Sequence, residues 1–501
     1  MTSSRVLKIA VVFLDIIIAI SALFYFYSNR IYYIGSDSYY YLSLADSLVT
    51  TGKVRDLTIF PSEKPVTPQN GIVYLMALLK IAGLSSQQII SFIPFLNFSL
   101  YVISFSALAK TALLFKFSSR QILILSLFYY SHWVLYRLQM IPVNDGIFNS
   151  LGIWAIYLIS CLFYSVRRRN FFFLLVLSLI GVHFRLNLYL ILLSAIISYA
   201  IFAQWRKAVL TGIIVVLVLL TFKQVFALPL YSYQQESDPL TSISASQDLE
   251  RIPDVKTYSA YYTAKAMRKM IDIKPFLTEL KQLLVDRTAE LFLVRFDIIS
   301  SHLNWIFLIF TLIPLIGVIR GISLKDFSEL FFSLVALTSL AYTLLVGIIN
   351  NRYIFLNYIL VIFLLVKWMN ISRFASKFIY AYASIIILYS FFNFSRPYHL
   401  SCNLALMLEI KNRGITLPGE SLLLAEEKRH AYFFLNKPKI NIERFPWLVR
   451  SNEIFVAGSY LYVEDTLAYL ERLSGTDLKD YQLLSVRNGP DVCSLIRAVK
   501  G

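Results

Sequence analysis

The feature that most constrains this chain is a succession of apolar runs, each roughly 17–25 residues long and separated by polar turns. That length matches a hydrocarbon layer about 30 Å thick. A helix is the element that satisfies its own backbone polar groups inside such a layer. The sequence has 501 residues, 57% hydrophobic and 15% charged. A soluble protein so apolar would expose large sticky patches. The predicted class is a polytopic α-helical membrane protein with about 11 transmembrane helices, followed by a C-terminal soluble α/β domain.

Charge placement orients the runs. Lys and Arg recur in every second turn: Arg5 and Lys8; Lys110, Lys116 and Arg120; Arg167, Arg168 and Arg169; Arg206 and Lys207; Arg320 and Lys325; Lys367, Arg373 and Lys377. By the positive-inside rule these turns are cytoplasmic, which places the N-terminus inside and the segment after the last run outside. The net charge of +17 is therefore topological information, and no nucleic-acid partner is expected. The run that begins near Val6 is too long for a signal-peptide core and has no small-residue cleavage site after it, so it is expected to stay as the first span. Asp15 within it is expected to face other helices. Further spans are predicted at 88–109, 121–136, 147–165, a hairpin over 171–203, then 208–227, 303–319, 327–349, 354–369 and 378–394. Residues 71–83 are apolar but short, suiting a half-buried or interfacial helix.

The outer loops are then 28–70, 137–146 and 228–300. Within the last, 277–296 has helical apolar spacing but too many charges to span, and reads as an amphipathic surface helix. The membrane unit covers 1–395. From 396 to 501 hydrophobicity falls. SLLLA (421–425) and EIFVAG (453–458) read as buried strands, and TLAYLERL (466–473) as an amphipathic helix with Glu464 and Asp465 near its start. YQLLSV and VCSLIRAV could pair around an Asn488-Gly489 turn. The three cysteines, Cys161, Cys402 and Cys493, form no zinc or CxxC pattern. Outside the cytoplasm, Cys402 and Cys493 could form a disulfide.

The motifs GxGxxG, Walker A, HExxH and GxSxG are absent, so nothing points to a nucleotide site. What remains is polar residues gathered at the predicted outer face. Asp37, followed by Tyr39 and Tyr40, lies past the first run, and Asp145 precedes another. Arg137, His183, Arg185 and Arg352 share that side. A carboxylate takes a proton from an attacking hydroxyl or amine, and a guanidinium holds a phosphate leaving group. The plainer readings are that Asp37 and Asp145 cap helices, that Arg352 anchors a helix end in the headgroups, that His183 is a packing residue, and that the tyrosines are interface anchors.

The serial order of these stretches changes the balance. Asp37 with Tyr39 and Tyr40, then LADSL, Thr51-Gly52-Lys53, Pro61, Pro65 and Pro68, then Asn70-Gly71 leading into LLKIAGLSSQQ, resembles the first outer loop of the GT-C superfamily of glycosyltransferases. It looks most like the branch of protein O-mannosyltransferases and aminoarabinose transferases, which use polyprenyl-phosphate sugars. IPVNDGIFNSLGIWAIYLISCLFYSVRRR (141–169) is similar to the family's second outer loop. GVHFRLNLYLILL (181–193) looks like its short hairpin with a basic residue, and NNRYIFLNYIL (350–360) like its Arg-Tyr turn, here Arg352-Tyr353. The C-terminal segment resembles the α/β domain of bacterial members. The chain departs from the family at Pro68-Gln69-Asn70, where many members have His-Pro-Pro, and at Asn144-Asp145, where they have Thr-Asp or Asp-Glu pairs.

The resemblance implies an integral membrane glycosyltransferase that moves a sugar from a polyprenyl-phosphate donor to a lipid, glycan or protein acceptor on the extracytoplasmic face. The setting it implies is a bacterial inner membrane, with membrane lipids as surroundings. It implies Asp37 and Asp145 as catalytic carboxylates, and Tyr39, Tyr40, Arg137, His183, Arg185, Arg352 and Tyr353 as substrate contacts. A divalent cation held by the two carboxylates is compatible with this set but not required by it. The alternatives are a lipid-linked sugar transporter or flippase, which would favour matching inverted halves, and a polysaccharide polymerase or ligase.

Overall fold

The computed structural model describes residues 36–52, 54, 71–132, 135, 139–185, 187–227, 308–346, 355–371, 373–395, 402–415, 422–425, 453–474, 478–488 and 491–500. The first apolar run with Asp15, the Pro61–Pro68 segment, Arg137, the outer segment 228–300 and the Arg352-Tyr353 turn lie outside these residues.

Among the described residues the membrane unit comprises α1 (Ser36–Thr51), α2 (Gly71–Ile81), α3 (Ser86–Leu114), α4 (Ser119–Ser131), α5 (Asn144–Tyr164), α6 (Arg168–Phe184), α7 (Leu188–Ile201), α8 (Trp205–Ala227), α9 (Leu308–Ser323), α10 (Phe327–Val346), α11 (Phe355–Trp368) and α12 (Arg373–Ser395). Two of these, α3 and α5, are long and apolar enough to cross a membrane by length and composition, and several shorter apolar helices pack around them. The segment at 71–83 is a half-buried helix, with Ile72, Val73 and Met76 inward and Leu78 and Ile81 exposed.

Local sequence sets where several helices start and stop. Ser85 and Ser118 open α3 and α4 with capping boxes. Each serine accepts from the backbone N–H three residues on, and the glutamine there, Gln88 or Gln121, accepts from the serine's own N–H. Gln121 also donates to the Val366 carbonyl at 2.9 Å, near the end of α11, where that oxygen's other partner is the Met369 N–H at 3.4 Å. The turns after α3, α7 and α9 close with Lys116, Ala203 and Lys325 at φ of 61°, 55° and 52°. In each, the next N–H reaches back five residues (Phe117 to Ala112, Gln204 to Tyr199, Asp326 to Gly321), which is the Schellman closure.

Helix α5 runs through the middle of the packing, against α3, α6, α7 and α11. On α3, Tyr101 donates to the Tyr129 carbonyl of α4, and the two rings stack 4.3 Å apart. Helices α9 and α10 cross closely at Gly317 and Gly321, a small-xxx-small spacing. A Cβ at Gly321 would lie 2.5 Å from the Leu330 backbone nitrogen.

After α12 come α13 (Cys402–Asn412), β1 (Leu422–Ala425), β2 (Glu453–Ser459), α14 (Tyr460–Ser474), β3 (Leu478–Asn488) and β4 (Asp491–Lys500). The sheet order is β1-β2-β4-β3, with β1 parallel to β2 and the other pairs antiparallel. Its small core joins Leu406, Met407 and Ile410 of α13 to Phe455, Leu484 and Leu495. Three details differ from expectation. Helix α13 has no counterpart in the sequence reading. Helix α14 begins at Tyr460, so Glu464 and Asp465 sit in its second turn. The β3–β4 ladder runs to the Asn488–Asp491 pair, so Asn488 belongs to strand β3 rather than to a turn. Cys493 on β4 is disulfide-bonded and Cys161 is free. The chain's one other cysteine is Cys402, at the start of α13.

Candidate functional site

The polar segments singled out in the sequence meet at the N-terminus of α5. The turn that feeds it is held from outside. Asn97 of α3 donates through Nδ2 to the Ile141 carbonyl at 3.1 Å, and Val143 takes the extended conformation before the helix begins. No side chain caps α5, and its helix starts at Asn144, so Asp145 lies in the first turn. The capping reading of Asp145 is therefore replaced. A carboxylate in the first turn also complements the positive end of the helix dipole.

Asp145 forms an ion pair with Arg185, and both side chains are largely buried, at 3% and 11% exposure. Arg185 is the C-cap of α6. The antiparallel pair α5 and α6 thus brings a positive and a negative helix end side by side, with an anion on the first and a cation on the second. Removing two charges from water is costly, and a buried pair survives when each group keeps its partner.

Asn144 connects this pair to the first loop. Its Oδ1 accepts from the Ile72 N–H at 3.2 Å, filling one of the orphan donors at the start of α2. Its Nδ2 approaches the Tyr41 hydroxyl of α1 at 3.5 Å. An aspartate here could accept from Ile72 but could not donate to Tyr41. Gly71 presses on the backbone of the next segment: a Cβ there would sit 3.0 Å from the His183 carbonyl and 3.0 Å from the Phe184 ring. Gly146 is equally tight against Asn97, where a Cβ would fall 2.8 Å from that side chain's own Cβ.

Among the residues predicted from sequence, Asp37 lies in the first turn of α1, which begins at Ser36, so the position that would cap this helix is not its own. It stands four residues before Tyr41 in the chain. Tyr39 is buried in the hydrophobic core, and Tyr40 is half-buried with its ring 5.6 Å from that of Tyr41. His183 is half-buried at the end of α6, with its backbone against Gly71. Arg137, Arg352 and Tyr353 lie outside the described residues, but α11 begins only two residues after Tyr353. Its Leu356 reaches α5 near Gly152. The structure adds Tyr41, Asn97 and Asn144, which sequence reasoning did not select. The polar type of Asn144, directly before Asp145, was the available signal; Asn97 sits in an apolar run and gave none.

Among the described residues there is no group of three or more His, Cys, Asp or Glu side chains that could hold a metal ion. A divalent ion between Asp37 and Asp145 would share Asp145 with the Arg185 guanidinium.

No family model matches this sequence, and no curated protein matches it. Solved structures do match its fold. The archaeal oligosaccharyltransferase AglB from Archaeoglobus fulgidus, in complex with an inhibitory peptide and a dolichol-phosphate, superposes with a TM-score of 0.52 at 11% identity, over 92% of this chain and 70% of that one. The apo form of the oligosaccharyltransferase from the same organism gives 0.50 at 12% identity, over 92% and 71%. ArnT from Cupriavidus metallidurans bound to undecaprenyl phosphate aligns over 97% of each chain at 11% identity with a TM-score of 0.44. These neighbours are GT-C glycosyltransferases, and this chain shares the fold of the oligosaccharyltransferase.

Proposed function

We propose that this chain is a glycosyltransferase that moves a sugar from a polyprenyl-phosphate donor to a lipid, glycan or protein acceptor at the outer face of a bacterial inner membrane. The observation that carries this reading is the meeting of α1, the start of α2, the start of α5 and the end of α6 around Asn144, Asp145 and Arg185. The tyrosine hydroxyl of α1, a backbone N–H of α2, the amide and carboxylate of α5 and the guanidinium that caps α6 meet at one place in the fold. The AglB structure holds a dolichol-phosphate and that of ArnT an undecaprenyl phosphate, which supports a lipid-phosphate donor here.

In the proposed reaction the acceptor hydroxyl or amine attacks the anomeric carbon. The new bond forms as the bond from that carbon to the phosphate oxygen breaks, so the polyprenyl phosphate leaves with the electron pair. Asp37 receives the acceptor's proton, within the 10²–10⁴-fold range typical of a positioned base. Asp145 holds Arg185 in place. A guanidinium has five N–H donors and one carboxylate cannot use them all, so the pairing is compatible with a phosphate on the other edge. Arg352 and Arg137 are the further candidates for that phosphate. No step is routed through a metal ion. The proposed arrangement comprises about 11 spans in residues 1–395, a cytoplasmic N-terminus and an extracytoplasmic unit over 396–501. The disulfide at Cys493 supports that side, since such bonds persist in oxidising compartments.

The test is transfer by purified protein with a panel of undecaprenyl-phosphate sugars. An Asp37→Asn variant that elutes as a folded protein is expected to lose transfer by about 10²–10⁴-fold. Equal rates for the variant and the wild type would remove Asp37 from the mechanism.

A further inference from the structure

Next to the Asp145–Arg185 pair lies polar capacity that the fold itself does not use. Asn149 is 2% exposed and its Nδ2 is buried with no hydrogen-bond partner. Asn97 is fully buried; its Nδ2 donates to Ile141, which fixes the amide orientation, and its Oδ1 has no partner. Buried polar atoms are rarely left so, and each such atom calls for a reason.

The helical geometry relates the two. On α5, Asp145, Asn149 and Gly152 follow at i, i+4 and i+7 and share one stripe. Asp145 at the top of the stripe meets Arg185, and Gly152 at the bottom meets Ile191 of α7 and Leu356 of α11. Gly146 meets Asn97. At about 100° per residue, Asn149 projects between the direction of Asp145 and that of Gly146, one turn deeper. One turn on from Asn97, α3 touches α11: Tyr101 lies edge-on to Phe355 at 6.2 Å. Asn149 therefore faces the place where α3, α5 and the first turn of α11 come together, beside the ion pair.

An amide N–H that lacks an acceptor and an amide carbonyl that lacks a donor are complementary to one hydroxyl group, which accepts the first and donates to the second. Both groups are neutral, unlike the cations suited to a phosphate. Resting on the donor class proposed above, we infer that Asn149 and Asn97 form a neutral subsite that binds a hydroxyl of the glycosyl unit of the lipid-linked donor. Such a site discriminates by rejecting an analogue that lacks the hydroxyl, because its buried polar groups are then left unmatched.

The experiment compares full-length wild type with Asn149→Leu and Asn149→Ala in nanodiscs. Binding of undecaprenyl phosphate and of a panel of undecaprenyl-phosphate sugars is measured by native mass spectrometry, with the thermal midpoint recorded in parallel. The expected result is a loss of affinity of about 3- to 10-fold for the bound glycosylated lipid in both variants, unchanged affinity for bare undecaprenyl phosphate, and a thermal midpoint for Asn149→Leu no lower than wild type. Affinity for the glycosylated lipid within twofold of wild type in both variants overturns the subsite and leaves the donor class standing. Equal losses for both lipids overturn it too, because the amide then serves the phosphate or the fold. Wild type that prefers no glycosylated lipid over bare undecaprenyl phosphate overturns the subsite together with the donor class.

Discussion

The two ends of α5 each carry buried charge, and they use it differently. At the C-terminal end, Phe163 stacks on Phe327 at 3.9 Å, next to a cluster contributed by α9, α10 and α11. Asp326 caps α10, accepting from the Ser328 and Glu329 N–H groups at 2.9 and 3.2 Å, and pairs with Lys367. Glu329 takes a two-point contact from Arg320 at 3.0 and 3.5 Å and lies 3.8 Å from Lys367. Arg320 also covers the Trp368 ring. Three of these four charged groups lie within ten residues of one another in sequence, and each is spent on a helix end or on its neighbour. At the N-terminal end the partners come from four distant segments, and the neighbouring amides of Asn97 and Asn149 keep unspent atoms. A cluster whose charges pair with near neighbours holds helices together. A cluster assembled from far-apart segments with capacity left over is arranged for something else to bind.

Removing the cations tests this contrast most severely. Arg185→Leu removes the guanidinium that pairs with buried Asp145, and Arg320→Leu removes the one that pairs with buried Glu329. Each is expected to cost about 3–5 kcal/mol, less for Arg320 because it is one-third exposed and Lys367 remains near Glu329. Pairing each with a leucine at its acid (Asp145→Leu with Arg185→Leu, Glu329→Leu with Arg320→Leu) should restore most of the stability, read by thermal or denaturant unfolding. The two ends then separate by transfer activity, which should return for the Arg320 pair and stay lost for the Arg185 pair. Recovery in both would make the N-terminal cluster structural as well.

A smaller effect is expected at the tight glycines. Gly321→Ala must displace the Leu330 backbone at the α9–α10 crossing, and Gly146→Ala must displace Asn97. Overpacking of this kind costs about 1–3 kcal/mol. Gly321→Ala should lower unfolding stability with transfer scaling to the folded fraction, whereas Gly146→Ala should also lower the transfer rate per folded molecule, since it disturbs the turn into α5.

The smallest effect is a pH dependence at the C-terminal end. Burial pulls the Asp326 carboxyl upward, but Lys367, the Ser328 hydroxyl and the Glu329 N–H outweigh this and hold it below its ordinary value. A depressed carboxylate stabilises the fold above its unfolded pKa, and that contribution is lost as pH falls through the folded value. Unfolding stability followed downward from neutral pH into the acid range should therefore decline more steeply in wild type than in Asp326→Asn. Identical slopes would mean the pair is worth nothing measurable.

The fold was legible where the physics is local. The basic turns marked helix ends, and the strand-like runs EIFVAG and VCSLIRAV gave strands that the sheet contains; the Ser-x-x-Gln starts of α3 and α4 are equally local signals that the sequence reading did not use. Helix α13 escaped because its capping and periodic signals are weak and its burial depends on the sheet beneath it. For the site, the sequence pointed to Asp145 and Arg185 separately but offered no reason to pair them, because they are 40 residues apart and belong to opposite ends of two antiparallel helices. The same holds for Asn144, whose amide is needed only once α1 and α2 stand next to it.

By itself, the sequence determined that this chain is a series of apolar helices joined by polar turns, with Lys and Arg concentrated in every second turn, because helix length and charge asymmetry are read residue by residue. Only the tertiary structure decided that Asp145 is balanced by Arg185, that Asn144 joins the first loop to the second, and that Asn97 and Asn149 retain unspent hydrogen-bonding atoms. Those are properties of contacts between segments, fixed by how the helices pack and not by any stretch of sequence alone.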